Sequence, residues 1–228
     1  MGYQVVIPAA GSGKRLGAGK NKLLIDLLGR PLIAHTLQVF ENDGECEGII
    51  LVIKKAEESQ FKAIAKQYGF SKIKGFIAGG NERQDSVRHG LMQLHGDGVV
   101  LIHDGARPFV SHELIHRLVR SAEQAGSAIL AVPLKDTVKK VIGDQIQETI
   151  NRDYLWAAQT PQAFRLPVIL EAHQKAHQLD YMATDDAALV EWMGQKVNVV
   201  YGDYRNFKIT TPEDLSLAEY YILNNKGD

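Results

Sequence analysis

The chain has one cysteine, Cys46, and therefore cannot close a disulfide on itself. No secretory signal is recognisable at its start, so a reducing, cytoplasmic home is expected. No apolar run approaches the roughly 20 residues needed to span a bilayer. Position 6 is Val6 rather than the Ser or Thr of a myristoylation signal, so no membrane association is expected. Net charge is also nearly absent: 26 basic and 27 acidic residues leave −1, which does not favour a nucleic-acid polyanion as partner. Basic residues should then matter locally, in a site. Internal repeats, low-complexity tracts and linkers are missing as well. At 228 residues the chain can bury about 70% of its unfolded surface without cross-links. One domain over residues 1–228 is expected.

What the sequence does have stands at its beginning. The apolar run Val5-Val6-Ile7-Pro8 leads into Ala9-Ala10-Gly11-Ser12-Gly13-Lys14-Arg15, with Lys20 and Lys22 following. Gly11 and Gly13 carry no Cβ and let the backbone approach a ligand. Exposed N–H groups in such a loop bind anions, and the cations beside them add attraction. The loop reads as a phosphate site, although an ordinary strand-to-helix turn with solvated lysines would show similar residues. The dinucleotide fingerprint fails because Leu16 stands where its last glycine belongs, and the second strand runs into Lys54 and Lys55 instead of an acidic residue. The Walker pattern fails too, since Gly19-Lys20 is followed by Asn21. A dehydrogenase is disfavoured.

Apolar runs alternate with helical patterns along the chain. Val5–Pro8, Ile49–Ile53, Ile73–Ala78, Val99–Ile102 and Ala128–Val132 are continuous and rich in Val and Ile, as strands buried on both faces should be. Between them, Pro31 suits a first helical turn, with Ile33, Leu37 and Phe40 along one face. Asn81 can cap a helix carrying Val87, Leu91 and Leu94, and Ser111 another carrying Ile115, Leu118 and Val119. Repeated β-α units predict an α/β fold with a doubly wound, mostly parallel sheet. The alternation breaks near residue 134. Thr137–Ile142 and Gln145–Ile150 flank Gly143-Asp144 as a β-hairpin, which must pack on something to be stable. Helices near Pro167–His177 and Thr184–Trp192, a strand at Val197–Tyr201 and a helix capped by Thr211 and Asp214 complete the chain.

Ligands of open parallel sheets bind at the carboxyl ends of the strands. Ala9–Arg15, Gly79–Ser86 and Asp104–Arg107 all occupy such ends and should meet in one crevice. Asp104 follows a buried strand and precedes Gly105 and Ala106, which leave room beside it. A carboxylate there suits Mg2+ at a phosphate site, or simply caps the following turn.

Several motifs now add together: Pro8-Ala9-Ala10-Gly11 with Gly13 and Arg15, Gly79 through Val87, His103 through Pro108, Asp136 through Lys139, Arg152 ahead of Thr160-Pro161-Gln162, Thr184-Asp185-Asp186, and Lys208-Ile209-Thr210. In that order they resemble the 2-C-methyl-D-erythritol 4-phosphate cytidylyltransferase family of the non-mevalonate isoprenoid pathway, within the sugar-phosphate nucleotidyltransferases. The resemblance spans nearly the whole chain. It implies a Rossmann-like nucleotidyltransferase fold in which 134–156 forms a β-arm hooked onto a second subunit, making a homodimer. From the residues alone, a hairpin folded back on its own domain is equally good.

The resemblance also implies roles. Arg15, Lys22 and Lys208 would be catalytic. Ala9, Ala10, Gly11, Gly13, Gly80, Asn81 and Ser86 would hold CTP. Thr137, Arg152 and Arg107 from the partner chain, facing Asp104, Thr160, Thr184 and Lys208, would hold the acceptor phosphate, with Asp104 a ligand of Mg2+. The chain departs from the family's commonest pattern in having Asn21 where Pro usually precedes the catalytic Lys, and Asn81 where Asp is usual. Loss of the Pro is expected to free the loop, leaving Lys22 to be ordered by nucleotide. The same chemistry on another polyol phosphate, such as ribitol 5-phosphate, and a nucleotide-binding regulatory module without turnover are the rival readings. His112-Glu113-Leu114-Ile115-His116 matches the zinc-protease helix, yet it begins right after a cap and beside a phosphate-site motif, so zinc is not expected.

Overall fold

The computed structural model describes residues 2–11 and 21–224. In chain order the elements are β1 (Tyr3–Pro8), β2 (Asp26–Leu27), β3 (Arg30–Pro31), α1 (Leu32–Asn42), β4 (Cys46–Ile53), α2 (Glu58–Tyr68), β5 (Ile73–Ala78), α3 (Arg83–Leu91), β6 (Val99–Ile102) and α4 (His112–Ala125). They continue with β7 (Ser127–Pro133), β8 (Val138–Ile142), β9 (Gln145–Ile150), β10 (Trp156–Arg165), α5 (Leu166–Gln178), α6 (Asp186–Trp192), β11 (Asn198–Tyr201) and α7 (Pro212–Asn224). A seven-stranded sheet runs β11-β7-β10-β6-β1-β4-β5. Its strands pair in parallel except for β10, which is antiparallel to both β6 and β7.

Four of the five continuous apolar strands bury both faces; β5, at the edge of the sheet, has no buried residue and exposes Lys74 and Ala78. In β1, Val5 and Ile7 enter one core with Leu37, Phe40, Leu51 and Leu118, while Val6 enters the other with Val52, Val87, Leu91 and Ile169. Helices thus cover both sides of the sheet, as alternation of β and α units requires. Gly90 shows how closely α3 sits: a Cβ there would lie 2.6 Å from Val6 Cγ1. That approach fixes α3, and with it the segment at its head, against the middle of the sheet.

Three local expectations need correction. Pro31 precedes α1 instead of lying in its first turn. The N-cap of α3 is Glu82, not Asn81; its N–H donates to Asp85 Oδ2 at 3.2 Å, so the helix starts one residue late and Asn81 stays outside it. Leu94 is buried but lies past the end of α3. Other caps match the reading: Ser111 Oγ accepts from Leu114 N at 3.3 Å, and Thr211 and Asp214 exchange bonds of 2.9 and 3.3 Å.

Strand β10 has no counterpart among the strands expected from the sequence. It carries Pro161, which lacks an N–H and so normally leaves central strands. The sheet accommodates it at a register break between Gln159 and Gln162 opposite β7. Asn206 fills the gap, donating from Nδ2 to Thr160 O at 2.9 Å and to Gln159 Oε1 at 3.2 Å.

The hairpin around Gly143 (φ +59°) forms as expected, with β8 and β9 in a two-stranded sheet of their own. Ile142 and Ile146 on it are 64% and 62% exposed, so its apolar side chains are not folded back on the seven-stranded sheet. The two histidines of the zinc-like motif are turned to the neighbouring α1 region. His112 Nε2 lies 2.8 Å from Val39 O, and His116 Nε2 lies 2.9 Å from Asp43 Oδ1. Tyr3 donates to the same carboxylate at 2.6 Å. Burial opposes ionisation of Asp43, but bonds from Tyr3, the Glu45 N–H and His116 outweigh it and hold the carboxyl below its usual range.

Asn21 itself is held in place, while residues 12–20 of the loop expected to be freed lie outside the described residues. Asn21 is 3% exposed. Its Nδ2 donates to Ala9 O at 2.7 Å and Glu57 Oε2 at 2.8 Å, and its Oδ1 accepts from Leu23 N at 3.1 Å, capping a short 3-10 turn over Lys22–Leu24. An amide makes by hydrogen bonds the constraint that a proline ring would make covalently. Asn21→Ala would strand the buried Ala9 carbonyl and is expected to lower unfolding free energy by about 1–3 kcal/mol. Urea titration checks this; an unchanged midpoint would show that the clamp carries no stability.

Candidate active site

A crevice of about 560 Å³ opens where β1, β4, β5 and β6 end. The three suspected segments meet there. Ala10 and Gly11 follow β1, Gly79, Gly80 and Asn81 follow β5, and Asp104 and Gly105 follow β6. Gly13 and Arg15 lie outside the described residues. Ala9 sits behind the lining, with its N–H on Val52 O at 2.6 Å and its carbonyl on Asn21. Both of its backbone groups are engaged in shaping the loop.

The β5 end has little slack. A Cβ on Gly79 would come within 2.5 Å of Ala10 Cβ and 2.9 Å of Ser86 Oγ, so only glycine lets these two segments close on each other. Ser86 Oγ accepts from Gly80 N and donates to Glu82 O, both at 3.1 Å. The loop is folded onto the head of α3, with Asn81 exposed at its rim.

Asp104 is the electrostatic centre. It is 8% exposed, and Thr160 Oγ1 accepts from its backbone N–H at 2.9 Å. Lys208 Nζ stands 2.6 Å from Oδ2 and Arg83 Nε 3.5 Å from Oδ1. Burial alone would push the carboxyl up, but Arg83, Lys208 and Arg107 hold it well below the usual carboxylate range. Lys22 Nζ donates to Ile209 O at 3.2 Å, so Lys22 and Lys208 are gathered around one short segment. Lys54 also reaches the crevice. An anion entering here meets cations from four separate parts of the chain.

The acceptor residues are less tightly assembled. Arg107 Nη1 donates to Asn206 O at 2.6 Å, and burial lowers its affinity for its proton. His103 beside it is lowered to about 4 by burial. Thr160 adjoins Asp104, whereas Thr184 is exposed ahead of α6. Thr137 and Arg152 are exposed at the base of the hairpin, where Arg152 donates to Lys135 O, and they do not line the crevice of their own chain.

Sequence reasoning missed Arg83, which lines the crevice and touches Asp104, and it missed Asp186 and Asn206, which hold Arg83 and Arg107. A cation inside a glycine-rich phosphate motif was a signal for Arg83, and Asp186 stood in the Thr184-Asp185-Asp186 motif without a role; nothing local marked Asn206. Among the described residues no three His, Cys, Asp or Glu side chains gather as a metal centre, and no helix is long and apolar enough to cross a membrane.

Comparison with known proteins bears on the same crevice. The family model for 2-C-methyl-D-erythritol 4-phosphate cytidylyltransferase matches residues 3–224. A protein of that name from Halalkalibacterium halodurans is 54% identical over 219 residues, covering 96% of each chain. Another from Geobacillus kaustophilus is 52% identical over 228 residues and covers all of both. Among solved structures, the 4-diphosphocytidyl-2C-methyl-D-erythritol synthase of Anaerococcus prevotii superposes with a TM-score of 0.85 at 35% identity, covering 97% of this chain and 96% of that one. The Thermus thermophilus cytidylyltransferase superposes at 0.81 with 32% identity, covering 96% and 98%. By sequence along its whole described length and by fold, this chain belongs to the 2-C-methyl-D-erythritol 4-phosphate cytidylyltransferase family.

Proposed function

We propose that the chain transfers a cytidylyl group from CTP to 2-C-methyl-D-erythritol 4-phosphate, releasing pyrophosphate, with Mg2+ as cofactor. The observation that carries this reading is the convergence of Arg83 and Lys208 on Asp104, with Lys22 lining the same crevice, in a chain from this family. A phosphate oxygen of the acceptor attacks the α-phosphorus of CTP. A new P–O bond forms as the bond to the β-phosphate oxygen breaks, and pyrophosphate leaves with that electron pair. The acceptor phosphate is already largely ionised at neutral pH, because its second pKa is about 6. No general base is required. The protein has to bring two anions together and offset the charge growing on the α-phosphate.

Roles follow from that need. Arg15 and Lys22 would stabilise the transition state, and Lys208 would bridge the acceptor and α-phosphates. Ala10, Gly11, Gly80, Asn81 and Ser86, with Gly13 in the same loop and Ala9 behind it, would enclose the cytidine. Asp104, Arg107, Thr160 and Thr184 would meet the acceptor. The donor set fits a metal carried in on the nucleotide: Asp104 would share Oδ1 between the metal and Arg83, which stands 3.5 Å away, and phosphate oxygens would complete the shell. Mg2+ bound there would neutralise phosphate charge.

Residues 134–156 are read as the dimerisation arm of a single-domain chain, supported by the exposed Ile142 and Ile146 on a hairpin that pairs only with itself. Thr137 and Arg152, remote from their own crevice, would then serve the acceptor pocket across a homodimer.

Pyrophosphate release should require Mg2+ and be confined, among four NTPs offered with methylerythritol phosphate or ribitol phosphate, to CTP plus methylerythritol phosphate. Turnover with ribitol phosphate would contradict the acceptor, and CTP binding without turnover would contradict catalysis. Sedimentation-coupled assays should show specific activity falling as the dimer dissociates; an active monomer would rule out a shared site.

A further inference from the structure

Below the crevice lies a line of charge that the transfer reaction as written does not use. Asp186 heads α6 and is 1% exposed, as is His173 from α5. His173 Nε2 lies 3.1 Å from Asp186 Oδ1. Arg83 Nη1 donates to Asp186 Oδ2 at 2.7 Å. The other edge of the same guanidinium faces upward, Nε standing 3.5 Å from Asp104 Oδ1, and Asp104 Oδ2 meets Lys208 at 2.6 Å. Five segments of the chain are thereby joined in one line of polar and charged contacts from the interior to the reaction site.

Such an arrangement is expensive for the fold. Carboxylates and imidazoles removed from water lose solvation that ion pairing only partly restores, and an apolar substitute of the same volume is often as stable. Burial works against the charged form of Asp186, yet Arg83 and His173 keep it below its usual range. A guanidinium, however, is a planar fork that can be fixed at both edges, which an ammonium cannot match. The surroundings reinforce the mount. Gln84, next in sequence, donates to Tyr181 O at 2.9 Å and accepts from Ala183 N at 3.0 Å. Gln162 on β10 donates to Asp185 Oδ2 at 2.8 Å and accepts from Ala187 N at 3.1 Å. The head of α3 is therefore zipped to the head of α6 around Arg83.

We propose that Arg83, fixed from beneath by the buried Asp186–His173 pair, is a positioning residue that orients the Asp104 carboxylate and through it Lys208. This rests on the cytidylyl-transfer reading above and adds to it a buried support that sets the geometry of the phosphate-binding cations. With Arg83 on Oδ1 the carboxylate plane is set and Oδ2 points at Lys208. Without it, Asp104 can rotate and Lys208 loses a defined place.

The test compares Asp186→Asn and Arg83→Lys with the parent protein. Asp186→Asn keeps the shape at the anchor but removes its charge; Arg83→Lys keeps the charge but loses the fork. Each is expected to lower kcat about 10- to 100-fold, as small misplacements of reacting groups do, while the KM for CTP stays close to the parent's. Unchanged kcat in both, or losses that only track the folded fraction seen by circular dichroism, would overturn the proposal. A second measurement needs no substrate. In the parent, the Arg83 Nε–H should give a slowly exchanging 15N NMR resonance, and Asp186→Asn should accelerate its exchange; an unaltered resonance would overturn the anchoring. This arm still reads if the parent fails to transfer cytidylyl groups, in which case the proposed function alone falls.

Discussion

A carboxylate enclosed by cations is the constraint on which the site depends. Asp104 would be costly to bury alone, because desolvation disfavours its charge. Arg83 and Lys208 offset part of that penalty by coming to it from α3 and from the segment before α7. Each cation is in turn held in a place it would otherwise leave. Lysine side chains in particular lose freedom when fixed, and two of them are gathered here, Lys208 on Asp104 and Lys22 on the Ile209 carbonyl. The result is a concentration of positive charge preformed for phosphates, in a chain whose overall charge is close to zero.

The fold supplies the addresses. Parallel strands deliver their carboxyl ends to one edge, and glycines at the β5 end let the segments close to contact distance. β10 interrupts the parallel pattern, and the interruption is used: its register break exposes Thr160 to the Asp104 N–H and lets Asn206 tie the strand to the Arg107 segment.

Much of this was legible in the sequence where the signal was local. Apolar runs rich in Val and Ile marked β1, β5 and β6 to the residue or nearly so, and Gly143-Asp144 marked the hairpin. β10 escaped because Pro161 and its polar neighbours look unlike a central strand, although they were recognised as a motif. Asn21 was read as the loss of a proline, when its amide makes three hydrogen bonds that replace the ring's constraint. The cap of α3 was misplaced by one residue because Asn is the stronger intrinsic capper, and Asp85 favoured Glu82 instead. Arg83 was visible as a residue but not as a member of the site, since its anchor Asp186 lies 103 positions away. Pairings of that range are properties of the packed chain.

Asp104 and Lys208 are expected to act as one unit in transfer. A double-mutant cycle on kcat with Asp104→Asn, Lys208→Ala and the pair tests this most directly. The expected result is strong coupling, the double variant being little slower than the slower single one. Losses that simply multiply would show that the two residues act independently, and the ion pair at 2.6 Å would then be incidental to transfer.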